Sequence, residues 1–232
     1  LDVSGIQYTP DALQGLRVGW LGDLGGHLAM EDGIVGVCED ALRAMQNAGA
    51  HIEPTAPGFD PQTLWECWLV WRRALVGPKA AALLQLPGAR EELKPEALWE
   101  YDNSLKLSYM DFQLASQRRT GFYNHLLQMF DRFDVLALPV AQVWPFPLQE
   151  RWPQKIGHRV MDTYHRWMES TIYATLAGMP AISLPAGFHP NQPWPMGIQL
   201  IGKPQGDVAL LQVAAAYEAV RSEWLQRRPA AA

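Results

Sequence analysis

The chain has 232 residues, 48% of them hydrophobic, and carries 19 Lys and Arg against 24 Asp and Glu, a formal net charge of −5. This apolar content fills one sizeable α/β domain or two small ones. The acidic balance argues against a nucleic-acid surface, which needs clustered basic residues. No apolar run approaches the roughly 18–20 residues of a membrane span, so we expect neither nucleic acid nor membrane as a partner.

Two features of the sequence concern the processing and the cellular location of the chain. The chain begins at Leu1 with no visible signal peptide, which we interpret as a processed chain or a piece of a larger one. Cys38 and Cys67 belong to no CxxC or Cys/His ligand pattern, which is typical of buried, reduced thiols in a cytoplasmic protein. The six histidines show no metal-ligand spacing, so neither a metal nor a cofactor is predicted.

The first quarter of the chain predicts a β-α-β unit. Residues 1–12 have the mixed composition of a linker, and Leu16–Leu21 is a strand candidate. Glu31–Ala48 has the i, i+3/i+4 apolar spacing of an amphipathic helix, and His51–Thr55 predicts a second short strand. We expect a right-handed parallel crossover. The glycines after the first strand cannot be arranged as GxGxxG, which argues against a dinucleotide site.

The middle of the chain predicts helices. Pro61–Leu86 is a helical region that Pro78 interrupts or restarts, and Gly88–Asp102 is read as exposed helix and loop. Leu105–Phe130 predicts a long helix. Its candidate buried positions are Leu107, Met110, Leu114, Phe122, Leu126 and Phe130.

Short apolar runs bounded by Gly and Pro predict strands in the last part of the chain. They are Val135–Val140, Ala181–Leu184 and Met196–Ile201, and the last two are expected to be buried. Helices are predicted at Tyr164–Ala177, before the last two strands, and at Asp207–Trp224, after them.

An aromatic and proline-rich loop follows the strand at residues 135–140, with Trp144-Pro145-Phe146-Pro147 and then Trp152-Pro153. Such loops at the carboxyl end of a strand often line a ligand crevice in open α/β sheets. A hydrophobic clip against a neighbouring segment is an equally good interpretation.

No catalytic constellation is visible. None of the seven serines lies in GxSxG or begins SxxK, and Ser183, inside a predicted buried strand, is interpreted as a satisfied core hydroxyl. His158 and His165 are seven residues apart with Asp162 between them, so they could share a helix face. We prefer a solvated face to a site there.

Four segments in order resemble the amidase signature family, hydrolases of carboxamide bonds. Leu16–Trp20 with Leu42–Gly49 is similar to the family's "GLRIG…AL..L..AGA". Ala115–Arg119 followed by Phe133–Pro139 is similar to "A…R…F…(F/Y)DVLL.P". LAGMPAISLPAG, residues 176–187, and PMGIQLIG, residues 195–202, are similar to the family's two late motifs.

The resemblance implies an α/β fold, with helices on the faces of a mixed, largely parallel twisted sheet. It implies that residues 1–12 link to a missing N-terminal half, that 13–228 form the C-terminal domain, and that 229–232 are a tail. The family uses a Lys, a cis-peptide Ser and a nucleophilic Ser, with the Lys as base, and all of these precede the matched region. The five lysines here match no family catalytic position. The resemblance therefore implies no catalytic residue in this chain, which would complete the sheet and the acyl-side pocket.

The resemblance also implies which residues contact substrate. The predicted substrate-binding residues are Trp144, Phe146, Trp167, Thr171 and Thr175. The family often has Asn at the position of Thr175, and the tRNA-dependent amidotransferase subunit usually has Asp near Met168. The loss of that carboxylate, together with Trp144, Phe146 and Trp167, indicates an amide with an apolar or aromatic acyl group rather than a glutamine-like one.

Three further expectations remain open. The partners implied are the amide substrate, the N-terminal catalytic half and a second copy of the chain in a homo-oligomer. The alternative to an amidase segment is a non-catalytic binding or assembly module derived from one. Arg119 matches a family Arg, and either an ion pair with Asp131 or Asp134 or a ligand contact would explain it.

Overall fold

A computed structural model of the chain describes residues 2–7 and 9–223. The predicted tail at 229–232 and the end of the predicted closing helix lie outside the described residues. The chain divides into two units, one formed by Leu1–Gly58 and Leu126–Ala232 and the other by Phe59–His125.

The first unit is built on a five-stranded mixed sheet and a two-stranded hairpin. The strands in chain order are β1 (Arg17–Trp20), β2 (His51–Pro54), β3 (Val135–Pro139), β4 (Lys155–Ile156), β5 (Arg159–Val160), β6 (Ala181–Phe188) and β7 (Pro195–Gly202). The sheet order is β2-β1-β3-β7-β6, and β4 pairs with β5. β1 pairs with β2 and β3 in parallel, whereas β7 is antiparallel to both β3 and β6. The prediction of a mixed α/β sheet is confirmed.

The helices follow the apolar periods of the sequence. Their bounds are α1 (Ile34–Asn47), α2 (Pro61–Leu83), α3 (Ala89–Glu92), α4 (Pro95–Ser104), α5 (Tyr109–Arg132), α6 (Ile172–Ala177) and α7 (Asp207–Val220), with 3₁₀ turns at Pro10–Leu13 and Arg166–Thr171. None of these described helices combines the length and apolarity needed to cross a membrane.

The predicted β-α-β unit is confirmed. In β1 and β2, Arg17 pairs with His51 and Trp20 pairs with Pro54. The helix between them begins later than predicted, at Ile34, because Gly33 before it has a left-handed φ of 87°, a conformation that glycine adopts without strain.

Helices α1 and α7 cover one face of the sheet. Val18, Ile198 and Leu200 from the strands are fully buried there against apolar residues of the two helices. Tyr217 of α7 is also buried, and its hydroxyl donates to the backbone oxygen of Pro185 at 2.6 Å. This hydrogen bond satisfies the one polar atom that the ring brings into the core.

β6 is an edge strand that is covered on one face only, and this one-sided cover corrects the prediction for Ser183. Leu184 and Ala186 are buried on the covered face of the sheet, whereas Ala181, Ser183 and Pro185 alternate with them and are exposed. Side chains along a strand point to opposite faces in turn, so a strand covered on one face leaves every second residue in solvent. Ser183 is therefore a surface hydroxyl and not a core one.

The segment before β6 differs from its prediction as a single helix at Tyr164–Ala177. It is a 3₁₀ turn, Arg166–Thr171, followed by α6, and Met168 inside the turn has non-helical φ and ψ of −115° and 22°. Helix α6 ends at Gly178 in a left-handed conformation, with a φ of 72°, which is a common C-terminal helix cap.

The second unit contains α2, α3, α4 and the first part of α5. Asp60 caps α2, since its carboxylate accepts the backbone N–H groups of Gln62 and Thr63 at 3.2 Å. Pro78 lies inside α2 and does not end it. Among the predicted buried positions of α5, Met110 and Leu114 are 70% and 48% exposed, so this part of the prediction is wrong.

Candidate functional site

The aromatic loop after β3 begins with a buried tryptophan. Trp144 donates its backbone N–H to the carboxylate of Glu31 at 2.6 Å and its indole N–H to the backbone oxygen of Asp32 at 3.0 Å. Its ring contacts that of His189 edge-on, with 4.9 Å between centroids. Trp144 thus joins the loop to the segment before α1, as the clip interpretation expects. Its contact with substrate stays a prediction.

Phe146 and Trp167 form an aromatic pair in the same region. Their ring centroids are 5.4 Å apart and the rings are nearly perpendicular at 86°. Both pack against a small buried cluster of Val143, Ile156 and Met161. The indole N–H of Trp167 is buried and has no acceptor among the described residues. A buried donor without an acceptor costs free energy, so an added acceptor would stabilise this site.

The two predicted threonines lie one turn apart. The Thr171 hydroxyl donates to the backbone oxygen of Met168 at 2.9 Å, and the Thr175 hydroxyl donates to that of Thr171 at 3.3 Å. Both side chains are exposed. Because each hydroxyl proton is used locally, the lone pairs of the two oxygens remain available to accept hydrogen bonds from outside.

A buried charge network that the sequence did not predict holds this segment. The Glu169 carboxylate is fully buried, and its Oε1 lies 2.7 Å from His27 Nε2 and accepts the Tyr173 hydroxyl at 3.1 Å. Its Oε2 accepts a guanidinium N–H of Arg166 at 2.9 Å, and Arg166 also donates to Asp162. Burial and the adjacent Glu169 charge raise the pKa of Tyr173, so the hydroxyl keeps its proton and remains a donor.

Ser170 is a structural serine. Its N–H donates to Gln142 Oε1 at 3.2 Å, its hydroxyl donates to the backbone oxygen of Val140 at 3.1 Å, and its own carbonyl accepts from Gln199 at 3.2 Å. These bonds join the 3₁₀ turn to β7 and to the end of β3. Thr171, the next residue, is therefore held at a fixed place over the sheet.

An open depression lies beside this segment on the outer strands. It has a volume of about 310 Å³ and is lined by residues that include Val140, Ser183, Pro185 and Gly197. Gly197 is required there, because a Cβ at this position would lie 2.7 Å from Val140 Cγ1 and 2.9 Å from Ser183 Oγ.

The histidines predicted to share a helix face do not do so. His158 is exposed in the turn between β4 and β5, and His165 is fully buried before the 3₁₀ turn. The intervening chain is a hairpin and a loop rather than a helix, so the seven-residue spacing has no helical meaning. Within residues 2–7 and 9–223, no group of three or more His, Cys, Asp or Glu could hold a metal ion.

Neither the cysteines nor the lysines of this chain are activated for catalysis. Burial raises the pKa of Cys38 to about 12 and that of Cys67 to about 11, whereas a reactive thiol needs a lowered pKa. All five lysines are exposed, and a lysine that acts as a base needs burial or a neighbouring cation to lose its proton near neutral pH.

Arg119 stacks over an indole ring. Its guanidinium carbon lies 4.8 Å from the ring centroid of Trp71, a cation–π geometry that gives it a structural role. Asp134, one of its two predicted partners, pairs with Arg17 at 2.9 Å and with Lys203 at 3.5 Å.

Comparison with known proteins then decides the family. A sequence model of the Amidase family matches residues 6–211. The chain belongs to the amidase family. Among curated relatives, an acylamidase of Rhodococcus erythropolis is 28% identical over 99% of this chain and 47% of its own length. A glutamyl-tRNA(Gln) amidotransferase subunit of Thermodesulfovibrio yellowstonii is 35% identical over 54% of this chain and 25% of its own length.

Solved structures agree on the amidase fold. A bacterial aryl acylamidase of the amidase signature family superimposes with a TM-score of 0.80 at 23% identity, over 94% of this chain and 48% of its own. A 6-aminohexanoate cyclic dimer hydrolase superimposes with a TM-score of 0.73 at 17% identity, over 99% of this chain and 50% of its own. The chain spans about half the length of these proteins, and at this identity the similarity shows the fold.

Proposed function

We propose that the chain is the C-terminal part of an amidase that hydrolyses a carboxamide C–N bond by a Ser-Ser-Lys mechanism, with the catalytic residues outside this chain. The observation that carries the proposal is the match of residues 6–211 to the Amidase family. The exposure of all five lysines supports it, because a base in such a mechanism must be desolvated to be neutral.

The part proposed for this chain is to complete the central sheet. Among the described residues β6 pairs with β7 and with no other strand. Its outer edge is therefore open to another strand, except at Pro185, whose carbonyl accepts the Tyr217 hydroxyl. Such an edge is a ready template for another strand. We propose that the N-terminal half covers it, next to the exposed Ala181, Ser183 and Pro185.

The second part proposed is one wall of the acyl pocket. Phe146 and Trp167 supply apolar surface, and Thr171 and Thr175 supply hydroxyl oxygens on the adjoining helical segment. Trp144 supports the loop from behind through its bonds to the segment before α1. This wall fits an apolar or aromatic acyl group, because its rings offer apolar surface and carry no charge.

A panel of amides assayed on the protein encoded by the whole reading frame tests this pocket. The proposal predicts that aryl and alkyl amides are hydrolysed faster than glutamine, and that Trp167→Ala raises KM for aryl amides more than for acetamide. Hydrolysis of glutamine much faster than of apolar amides would contradict the assigned acyl class.

The second candidate is a non-catalytic binding or assembly module derived from an amidase. The raised pKa values of both thiols and the exposure of all five lysines favour it as the alternative. The reading frame upstream separates the two, since the amidase proposal requires a Lys and a Ser-rich segment there. A native start codon close to Leu1 would instead support the module.

Two further properties belong to the proposal. The buried, unpaired Cys38 and Cys67 agree with a reducing compartment, which supports a cytoplasmic location. The unpaired edge of β6 also offers a route to a homo-oligomer when the N-terminal half is absent.

A further inference from the structure

The second unit contains a cavity that no part of the proposed function uses. It has a volume of about 340 Å³, opens to solvent and lies between α2, α4 and the start of α5. Its apolar lining includes Ala74, Gly77, Ala81, Leu107 and Phe112. This volume is within the range of about 300–1,000 Å³ typical of small-molecule sites.

The cavity has one cationic group in its wall. Arg73 lines it, and the guanidinium carbon lies 4.9 Å above the ring centroid of Trp99. The Nε–H of Arg73 is buried and has no acceptor among the described residues. This N–H has lost water without gaining a hydrogen-bond acceptor.

The neighbouring Glu100 charge compensates only part of the charge of Arg73. Glu100, a fully buried carboxylate on α4, forms its ion pair with Arg72, and no ion pair of Arg73 occurs in the described part of the chain. Burial lowers the pKa of Arg73 by more than the Glu100 charge raises it, but a guanidinium keeps its proton at physiological pH. The cavity therefore has an apolar lining and an incompletely compensated positive charge at one wall.

We propose that this cavity binds a small molecule that carries an apolar chain or ring and one carboxylate. The carboxylate pairs with the Arg73 guanidinium, whose planar fork matches two carboxylate oxygens, and the apolar part lies against Ala74, Ala81 and Phe112. The inference rests on the second unit alone and stands whether or not the chain belongs to an active amidase. An apolar carboxylate is also the class of product that hydrolysis of an apolar amide releases.

Isothermal titration of the full chain with octanoate tests the proposal. The proposal predicts saturable binding at one site, with binding of 1-octanol and of inorganic phosphate at least about tenfold weaker, because each lacks either the charge or the chain. Equal affinity for octanoate and 1-octanol would overturn it, and so would a failure of octanoate to saturate.

Two variants locate the site, each with a matched control. Arg73→Met keeps the apolar stem and is expected to weaken octanoate binding at least about tenfold, whereas Arg43→Met removes an exposed arginine of the first unit and should leave binding unchanged. Ala81→Leu fills the cavity and should abolish binding, whereas Ala82→Leu, exposed on the same helix, should not. Unchanged binding in either Arg73→Met or Ala81→Leu contradicts the site.

Discussion

Single charged residues in this chain hold the predicted pocket wall in place, in addition to the apolar packing of Phe146 and Trp167. Glu169 is fully buried and meets three donors or potential donors, of which Arg166 is itself only 3% exposed. A buried carboxylate is tolerated when its charge is paired and its lone pairs accept hydrogen bonds. The network fixes the 3₁₀ turn that carries Trp167 and Thr171.

Loss of the Glu169 charge should therefore destabilise the fold strongly. Glu169→Gln leaves the buried Arg166 guanidinium with a weaker partner, and we expect a fall of about 3 kcal/mol in the free energy of unfolding. Urea titration followed by tryptophan fluorescence measures it. Asp162→Asn is the matched control, since Asp162 pairs with the same arginine from a side chain that is 57% exposed, and it should cost less than about 1 kcal/mol. Equal losses in the two variants would contradict the role of the buried carboxylate.

A second carboxylate links stability to pH. The hydrogen bonds from Arg17 lower the pKa of Asp134 from 3.8 to about 2. Ionised Asp134 therefore stabilises the fold above about pH 4, and the contribution is lost as the pH falls through 4 towards 2. We expect Asp134→Asn to cost about 1 kcal/mol at pH 7, since solvent screens this partly exposed pair.

The same urea titrations at pH 7 and pH 3 check the Asp134 prediction. The difference in the free energy of unfolding between the wild type and Asp134→Asn should shrink at pH 3. Asp131→Asn, at an exposed position close to it in the chain, should show no such change. A difference that grows on acidification would show that the folded-state pKa is raised rather than lowered.

Whole elements were predictable where one residue pattern decides them. The β1-α1-β2 unit was predicted because Val37, Ala41 and Met45 repeat at helical spacing between two short apolar runs, and all three are buried. The apolar row of α5 was a weaker guide, since Met110 and Leu114 are exposed whereas Phe122 and Leu126 are buried. Each i, i+4 step turns by about 40° around an α-helix, so Met110 and Leu126 lie on nearly opposite sides. The period of an apolar row does not show which part of the row is covered by another element.

Features that depend on distant residues were not predictable. Ser183 is exposed because helices α1 and α7 cover only one face of β6, so its exposure could not be read from its own apolar neighbours. The charge network was missed because Arg166 and Glu169 are three residues apart, a spacing that ordinarily indicates an exposed helical pair. His27, 142 residues away in sequence, gives no local signal of its contact with Glu169.

The close packing around Gly19 in β1 can be tested by substitution. A Cβ at Gly19 would lie 2.8 Å from Leu136 Cδ2 and 2.9 Å from Phe133 Cδ2, so Gly19→Ala should destabilise by about 1–3 kcal/mol. Gly36, exposed in α1 with no atom near its missing Cβ, is the control. Gly36→Ala should instead stabilise by about 0.5–1 kcal/mol, because alanine favours the helix. Thermal unfolding of both variants measures the contrast, and shifts of the same sign would contradict the packing assigned to Gly19.

At the scale of the whole molecule, the unpaired edge of β6 predicts how the chain behaves alone. We expect concentration-dependent self-association and binding of an apolar dye, because the edge presents free backbone groups beside an exposed strand face. Sedimentation velocity measures the association. Ala181→Lys on the exposed face of β6 should reduce it, whereas Gln192→Lys in the exposed loop before β7 should not. A monomer at all concentrations that binds no dye would contradict the open edge.

The most direct test compares amide hydrolysis by this chain with hydrolysis by the protein that its whole reading frame encodes, on the same 4-nitroanilides of apolar acids. We expect hydrolysis by the longer protein and none above background by the 232-residue chain, because every lysine here is exposed and both thiols have raised pKa values. Hydrolysis by the 232-residue chain alone that is lost on substitution of one of its own serines would contradict this expectation.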